Sequence, residues 1–407
     1  MQMSPSGKRE TVKKVALLTN ELPPYRRPIF ELLGRHPRLA VAAYLSTRKE
    51  PHRLWDGLHD LPNVKVQVMR SFAFYLRSRE RERLVHLPAA VLPALLRNRP
   101  DAVISGEFGF RTLLAWVYCA LFRKPLIVWS GEITYGAQFA NRPQRFLRRF
   151  LSRRAAGFLA YGQAARWYLQ SLGVDNRKIS ILKQAVDNEY WRNARQAADL
   201  HAVRAKHSIT GKAALCVANL LYPKGIHHLI EAWAALPRTL QQANTLMLVG
   251  GGNQRAELEA LAVSLDAQNV VFVGPVPPDA LPAYYAAANF LVLPTLLDVW
   301  GLVVNEAMAS GLPVLCSKYA GCAEELIIPG KTGDIFDPTD VAAFSALLAR
   351  WLQTPHTTPD PAIQEHIQRW NFDSSMRGIL EQLVSVGILS PDEAAFAPQP
   401  TKPSASS

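Results

Sequence analysis

The feature that most constrains the fold is the regular alternation of short apolar runs with helix-like segments. The runs recur through both halves of the chain, at Val12–Thr19, Leu39–Leu45, Val64–Met69, Ala102–Ser105, Leu126–Ser130, Phe158–Tyr161, Ile179–Leu182, Ala213–Asn219, Leu246–Gly250, Val270–Gly274, Phe290–Pro294 and Val314–Ser317. Strands that are buried on both faces have this continuous apolar pattern. Because helical patterns lie between most of the runs, the chain is predicted to be an α/β protein with doubly wound parallel sheets.

The length of the chain and the distribution of these runs indicate two domains. At 407 residues, the chain exceeds the usual size of one domain. The first series of runs closes around Asp187–Tyr190, and a polar, Ala-rich stretch at about 193–212 precedes the second series. We therefore predict a Rossmann-like domain over 1–195, a second over 196–360, and a helical segment over 361–390. The Pro-, Ala- and Ser-rich residues 391–407 are predicted to be disordered.

The cysteines and the apolar segments favour a cytoplasmic protein. The four cysteines, Cys119, Cys216, Cys316 and Cys322, lack metal-ligand spacing and are interpreted as buried thiols in a reducing compartment. The first apolar run, Val15–Leu18, is too short for the core of a secretory leader. The longest apolar helix candidate, Leu113–Phe122, is about half the length that a membrane span needs.

The positive charge is concentrated in the first half of the chain. The formal net charge is +13, but residues 1–195 hold 34 Lys and Arg against 14 Asp and Glu, a net charge of +20. The remaining residues hold 12 basic and 19 acidic side chains, a net charge of −7. This division predicts an anionic partner for the first half only.

Two segments, Tyr75–Arg99 and Asn141–Arg154, carry much of this basic charge. In the second, apolar residues recur at helical spacing and arginines occupy the other side. A basic amphipathic helix suits an anionic membrane surface, where each basic residue contributes about 1 kcal/mol. A helix packed on the core with a solvated basic face is the alternative. We expect no nucleic-acid partner, because no RNA- or DNA-binding module accompanies the charge.

The most informative single stretch is Asp298–Val314, which reads DVWGLVVNEAMASGLPV. Asp298 follows a predicted strand, at the end where open parallel sheets bind ligands, and Glu306 falls in the next helix. The amides at 300–302 lie near the start of that helix and could bind an anion. Since a carboxylate can accept two adjacent hydrogen bonds, the stretch suits a ligand with sugar hydroxyls beside a phosphate. A helix cap and a solvated Glu are the alternative.

The full stretch resembles the signature of the large retaining glycosyltransferase group with the GT-B fold, the group 1 or family 4-like enzymes. In that group, an acid, seven residues and a Glu precede Ala-x-Ala-x-Gly-x-Pro-Val, which matches residues 298–314. Asp298 stands where the family usually has Glu, so its reach is one methylene shorter. The resemblance implies two Rossmann-like domains that face each other across a cleft. It also implies a C-terminal helix that crosses back to the first domain, and hexose transfer from a nucleotide sugar with retention.

The same resemblance assigns the donor-binding residues, on the loops that follow the strands of the second domain. Lys224 and Gly225 match the family's Lys-Gly pair, whereas Asn219 stands where an Arg is expected, and Arg26 or Arg255 could supply the missing cation. Taken alone, Lys224 could equally be a solvated lysine. Asp298 is assigned to the donor sugar and Glu306 to the ribose. The diphosphate is assigned to Lys224 and to the backbone of Gly251, Trp300, Gly301, Leu302 and Val303.

The resemblance assigns the acceptor side to the first domain. Tyr25 and Arg26, in a Pro-Tyr-Arg loop after the first strand, could contact an acceptor or a phosphate, although a rigid turn with a solvated Arg is the alternative. Glu107 and Glu132 also follow strands, where many relatives place a His near the donor sugar. These two are the catalytic candidates beside Asp298, since either could accept a hydrogen bond from a sugar hydroxyl or orient the acceptor.

We therefore predict a metal-independent hexosyltransferase of cell-surface polysaccharide or glycolipid synthesis. Its donor would be UDP- or GDP-linked, without a cofactor, and no Asp-x-Asp pair for a metal occurs in the chain. The acceptor would be a glycan or a lipid-linked molecule, which would place the cytoplasmic protein at the inner face of the membrane. A GT-B epimerase or phosphorylase is the alternative among enzymes, and a catalytically weak membrane-associated scaffold is the alternative outside them.

Overall fold

In the computed structural model, the residues described are 11–48, 61–69, 71–77, 82–355 and 358–395. Two parallel sheets, each with helices on both faces, make up the two halves of this α/β fold. The strands of the first sheet are β1 Lys13–Thr19, β2 Leu39–Leu45, β3 Val64–Val68, β6 Ala102–Gly106, β7 Leu126–Ser130, β8 Gly157–Ala160 and β9 Ile179–Ile181. Those of the second are β10 Ala213–Val217, β11 Thr245–Val249, β12 Val270–Gly274, β13 Phe290–Leu293, β14 Val314–Ser317 and β15 Gly333–Phe336.

Each sheet has one point at which the direction of winding reverses. The first sheet has the order β3-β2-β1-β6-β7-β8-β9 and the second the order β12-β11-β10-β13-β14-β15. The reversal therefore lies between β1 and β6 in the first sheet and between β10 and β13 in the second. At such a point the loops after two neighbouring strands diverge to opposite faces and leave a crevice at the carboxyl ends of the strands. The order of the strands thus gives each domain one preferred ligand position.

Helices fill the connections between the strands. In the first domain the α-helices are α1 Arg27–Arg35, α2 Val91–Asn98, α3 Phe110–Phe122, α4 Thr134–Ala137, α5 Arg142–Arg154 and α6 Gln163–Ser171. They continue with α7 Asn188–Ala197, α8 Leu200–Lys206, α9 Ile226–Ala234, α10 Arg238–Ala243, α11 Arg255–Ser264, α12 Leu281–Ala287, α13 Leu302–Ala309, α14 Ala323–Leu326 and α15 Val341–Gln353. The last three are α16 Pro361–Ile367, α17 Phe372–Ser385 and α18 Pro391–Ala394. Among the described helices, none is long and apolar enough to cross a membrane.

The predicted strands agree with the observed ones to within two residues at each end, but three observed strands were not predicted. β4 Phe72–Arg77 and β5 Glu82–Leu87 form an antiparallel hairpin, with Phe72 opposite Leu87, which overlaps the start of the first basic segment. Two of the arginines of that segment, at 79 and 81, lie outside the described residues. The third strand, β15, is only four residues long and contains an Asp, so its apolar pattern is too weak to predict a strand.

The C-terminal helix α17 packs against the first domain. A side chain at Gly378 would clash with the carbonyl oxygen of Ile181, so the helix backbone lies directly on the end of β9. The Ser180 amide also donates to Gln382 Oε1 at 3.2 Å. The prediction of disorder is wrong for the first residues of the segment, because they form α18, a capped turn whose Glu393 pairs with Arg38. Residues 396–407 of that segment lie outside the described residues.

Candidate active site

The loops after β10 and β13 meet at the reversal point of the second sheet. Lys224 Nζ lies 2.6 Å from Asp298 Oδ2, and the two side chains are only 24% and 17% exposed. Gly225 follows with a positive φ of 65°, and any side chain there would clash with the carbonyl oxygen of Pro294. The glycine therefore allows the Lys224 loop to lie against the end of β13. Lys224 and Asp298, which the sequence analysis assigns to one ligand, thus form an ion pair in the structure.

The loop between Asp298 and α13 presents backbone donors beside this pair. The Trp300 amide is not available, because it donates to Asp298 Oδ1 at 3.2 Å. The amides of Gly301, Leu302 and Val303, in contrast, have no acceptor among the described residues. Gly301 has a φ of 99°, which turns the chain into the helix. Three successive free N–H groups at a helix start form an anion-binding surface.

Glu306 lies one turn into α13. Its Oε2 accepts a hydrogen bond from the Tyr285 hydroxyl at 2.8 Å. Enclosure by the surrounding protein raises the pKa of the Glu306 carboxyl to about 7, although the bond from Tyr285 opposes the rise. A sugar diol that donates two hydrogen bonds would favour the ionised carboxylate. Lys224, Asp298, Glu306 and the amides of Gly301–Val303 are called the β10–β13 site below.

The raised pKa gives a prediction about stability. The Glu306 carboxyl has a pKa of about 7 in the folded chain against an ordinary value of 4.5. Its contribution to stability is therefore fully present below pH 4.5 and is lost as the pH rises through about 7. Glu306→Gln has no such loss, so its melting temperature relative to the wild type should rise over this interval. The free energy of unfolding of Glu306→Gln relative to the wild type would rise by at most about 3 kcal/mol. If the melting temperatures of the two proteins changed in parallel across this pH range, the pKa shift would be contradicted.

The remaining donor residues predicted from the sequence lie on two adjacent loops. Asn219 is exposed, and the next amide, that of Leu220, donates to the Gly251 carbonyl at 2.9 Å. The loops after β10 and β11 are therefore held together by their backbones. Arg255, one of the two cations that could replace the missing Arg, pairs instead with Glu259 at 2.8 Å. The other, Arg26, lies in the first domain.

A small cavity occupies the reversal point of the first sheet. It measures about 40 Å³ and lies at the carboxyl ends of β1 and β6, where Thr19 and Gly106 contribute to its wall. The side chains that carry its polar groups are Arg26, Glu107, Arg111, Trp129 and Tyr161. These five residues define what is called the β1–β6 cavity below.

Arg26 contacts the aromatic side chains that line this cavity. Its guanidinium donates to the Tyr161 hydroxyl and lies 5.0 Å from the centre of the Trp129 ring. Tyr25, the other predicted acceptor residue, is half-buried, and its ring centre is 5.9 Å from the same guanidinium. The aromatic rings and the Tyr161 oxygen thus hold Arg26 within the first domain, at a position from which it could contact an acceptor.

The two glutamates proposed for catalysis have different surroundings. Glu107 lies at the exposed side of the cavity, with a φ of 62°, and accepts hydrogen bonds from Ser130 Oγ at 3.2 Å and the Gly131 amide at 3.1 Å. Partial removal from water raises the pKa of its carboxyl. Glu132 is buried and pairs with Arg148, which also donates to the Tyr168 hydroxyl at 2.9 Å. Only Glu107 belongs to the β1–β6 cavity.

Cross-domain contacts bring the two sites next to each other. Glu325 of α14 accepts a hydrogen bond from the Gln163 amide at the start of α6. A side chain at Gly162 would clash with both Glu325 and the Trp300 ring, so the residue after Tyr161 touches the loop that holds Asp298. No pattern in the sequence predicts this role for Glu325. Its neighbour Glu324 resembles the Glu of the family's Gly-x-x-Glu pattern, which predicts a structural role in capping the helix, and it is exposed.

No metal cluster is found in the described part of the chain, where three or more His, Cys, Asp or Glu side chains do not converge on one point. The metal-independence expected from the sequence stays a prediction. All four cysteines are buried thiols, as the sequence analysis interpreted them.

Comparison with known proteins identifies the second half of the chain. Residues 202–368 match the family described as glycosyl transferases group 1, and this range contains the whole β10–β13 site. The chain carries a group 1 glycosyltransferase domain within a GT-B fold. The fold assignment rests on similar solved structures. HepE from Anabaena, crystallised with UDP, superposes with a TM-score of 0.70 at 18% identity, covering 92% of this chain and 100% of HepE.

Curated relatives match the chain over part of their length. A GDP-mannose-dependent alpha-(1-6)-phosphatidylinositol monomannoside mannosyltransferase from Mycolicibacterium smegmatis is 36% identical over 149 residues, which cover 35% of this chain and 38% of the relative. A D-inositol 3-phosphate glycosyltransferase from Acidothermus cellulolyticus is 28% identical over 233 residues, covering 53% of this chain and 50% of the relative. The matched regions thus span half or less of these two relatives.

Proposed function

We propose that the chain transfers a hexose from a UDP- or GDP-linked donor to a glycan or lipid-linked acceptor, with retention of configuration. The observation that carries the proposal is the β10–β13 site. Within one crevice it offers an ammonium group, free amides at a helix start and two carboxylates. Those groups match the diphosphate, the sugar and the ribose of a nucleotide sugar. HepE, whose fold is similar, was crystallised with UDP, which supports a nucleotide donor.

In the proposed reaction, the β10–β13 site stabilises the leaving diphosphate. The bond between the anomeric carbon and the phosphate oxygen breaks, and the oxygen keeps the electron pair. The acceptor hydroxyl oxygen forms a new bond to the anomeric carbon, and its proton leaves with the diphosphate. Lys224 and the amides of Gly301–Val303 would lie where this negative charge develops, which is the most effective position for donors in a catalytic site. Lys224 must turn from Asp298 to the phosphate when the donor binds. Asp298 is thereby released to accept hydrogen bonds from the donor sugar.

The first domain supplies the acceptor side of the proposal. The β1–β6 cavity adjoins the Trp300 loop through Gly162, so an acceptor bound there would face the donor sugar. Glu107 is the better placed of the two glutamates to orient an acceptor hydroxyl, since Glu132 is already paired with Arg148. The mannosyltransferase and inositol phosphate glycosyltransferase relatives support an acceptor of polysaccharide or glycolipid synthesis.

The test is turnover of a panel of nucleotide sugars by the purified chain, preceded by thermal-shift measurements with UDP, GDP and ADP. We expect one nucleotide to raise the melting temperature and the matching nucleotide sugar to be consumed, with or without EDTA. A product that is an isomer of the donor, or a sugar phosphate, would favour the epimerase or the phosphorylase. If none of the three nucleotides raised the melting temperature, the result would favour a scaffold and reject the transferase function.

We also propose that α5 binds an anionic membrane surface. Arg142, Arg145, Arg149 and Arg153 are exposed and lie on one face of the helix, by their spacing of three and four residues. Phe146 lies among them and is 71% exposed. This face differs from the pattern expected from the sequence, because Arg148 turns inward to Glu132 while Phe146 turns outward. An exposed aromatic ring within a basic face suits an interface of headgroups and acyl chains.

Charge reversal on this face should weaken membrane binding. The double variant Arg145→Glu and Arg149→Glu removes two favourable contacts of about 1 kcal/mol each, so vesicle affinity should fall at least about 30-fold. Sedimentation with vesicles rich in phosphatidylserine, at low salt, measures the effect, and added salt should weaken wild-type binding. The matched control is Lys331→Glu with Arg350→Glu, two exposed residues of the other domain. Equal pelleting of all three proteins, or none at low salt, would refute the proposal.

A further inference from the structure

The β1–β6 cavity contains hydrogen-bond donors that have no acceptor. Arg26 Nε, Arg111 Nε and Trp129 Nε1 are buried and, among the described residues, have no hydrogen-bond partner. Guanidinium and indole N–H groups can only donate. Arg111 and Trp129 are only 7% and 5% exposed, so acceptors for these donors must come from water or a ligand group inside the cavity. Three unpaired donors on one small cavity indicate a ligand that is rich in acceptor atoms.

The charges around the cavity favour an anionic ligand over a neutral one. Arg111 donates only to neutral oxygens: Asn20 Oδ1 at 2.5 Å, the Gly106 carbonyl at 2.7 Å and Ser46 Oγ at 3.3 Å. Burial lowers the pKa of its guanidinium to about 10, as expected for a charge that lacks a bonded counter-ion. The nearby carboxylate of Glu107 accepts hydrogen bonds from Ser130 Oγ and the Gly131 amide. Among the side chains that line the cavity, two carry a guanidinium group and one carries a carboxylate, while the carboxylate of Glu21 lies near Arg26 outside the lining.

The size and position of the cavity indicate which part of a ligand enters it. A volume of about 40 Å³ holds roughly three waters, or a single small oxyanion group, but no sugar ring. Arg26 and Glu107 lie at its solvent-exposed side, whereas Arg111 and Trp129 lie inside. The cavity is also at the reversal point of the first sheet, where ligands of doubly wound domains bind. An anionic substituent could therefore enter while the rest of the ligand stays in the cleft.

We propose that the β1–β6 cavity binds a phosphate or carboxylate group of the acceptor, and that Arg111 is the residue that selects acceptors carrying one. The inference rests on the proposed transferase function and gives the acceptor a chemical class. Arg111 was not singled out from the sequence. Arg26 closes the cavity on the cleft side, and Trp129 supplies the third donor.

The test is calorimetric titration of the full chain, first with nucleotide to fill the β10–β13 site, and then with inorganic phosphate, glucuronate or glucose. We expect phosphate or glucuronate to bind and glucose not to bind. The anion that binds identifies the chemistry of the acceptor group. Arg111→Gln should weaken that binding by about tenfold or more, since it removes a charged donor. Arg350→Gln, at an exposed arginine of the second domain, should leave it unchanged.

A second variant keeps the test independent of folding. Trp129→Phe removes the N–H group that has no partner and retains an aromatic ring, so anion binding should weaken about threefold. The smaller ring also loses part of its buried contacts, so the melting temperature should fall while the protein stays folded. Equal affinity for glucose and the anions would overturn the proposal, as would anion binding that both variants leave unchanged. Loss of anion binding in Lys224→Met would also overturn it, by tracing that binding to the β10–β13 site. The initial nucleotide titration tests the transferase function separately.

Discussion

Lys224→Met is expected to lower kcat/KM for the nucleotide sugar by about 10- to 100-fold. The ammonium group lies 2.6 Å from Asp298, in the crevice assigned to the diphosphate. A charged hydrogen bond of this kind contributes about 1.5–3 kcal/mol, and each 1.4 kcal/mol of lost transition-state stabilisation is about tenfold in rate. If the interaction forms fully only as the phosphate oxygen leaves, kcat should fall more than the affinity for UDP or GDP.

The second domain provides a matched control for this substitution. Lys318 forms an ion pair with Asp337, also at 2.6 Å, but at the carboxyl ends of β14 and β15, away from the reversal point. Lys318→Met therefore removes the same kind of ion pair outside the proposed site and should leave turnover unchanged. Near-normal turnover in Lys224→Met would remove the ammonium group from the mechanism. The companion variant Asp298→Asn shows whether any loss comes from leaving Asp298 without its partner.

The sequence predicted most of the fold because buried parallel strands have a pattern that depends little on tertiary context. β7 and β14 begin and end at the predicted residues, and every position of each is buried. β2 and the edge strand β12 are less completely buried, but they also match the prediction because each keeps a continuous apolar run. Two of the strands that were missed lack such a run. β15 is a four-residue edge strand that contains an Asp, and charged residues interrupt β5, so neither has the continuous apolar run that identifies a central strand. β4 has a short apolar run, but its second half falls in the basic segment.

The sequence predicted where the candidate site lies, but not the contacts that its side chains make with one another. Lys224 and Asp298 were identified because each follows a strand, and parallel strands end at one edge. Their ion pair depends on side-chain conformations that spacing does not determine. Arg111 was missed because it lies in the first turn of the apolar helix α3, where an arginine is usually solvated. Its place directly after the β6 loop was the available signal, since the start of such a helix faces the ligand side of the sheet.

Glu132→Gln is expected to lower the melting temperature by about 10 °C and to leave the turnover of the folded protein within about twofold of the wild type. Glu132 and Arg148 form an ion pair whose side chains are only 9% and 6% exposed. Removal of one partner of such a pair costs about 3–5 kcal/mol, because the other charge stays buried without compensation. The sequence made Glu132 a catalytic candidate from its position after a strand, whereas Arg148 looked like one more arginine of a solvated basic face.

The double variant Glu132→Gln with Arg148→Met separates a structural role from a catalytic one. Because methionine leaves no buried charge, the double variant should recover part of the stability that Glu132→Gln loses. Glu107→Gln serves as the comparison, since Glu107 lies at the exposed side of the β1–β6 cavity and forms no ion pair with Arg148. It should melt near the wild type while turnover falls if its carboxylate orients the acceptor. If Glu132→Gln instead melted like the wild type but turned over substrate at least tenfold more slowly, Glu132 would have a catalytic role. Arg148 would then act beside it in the reaction.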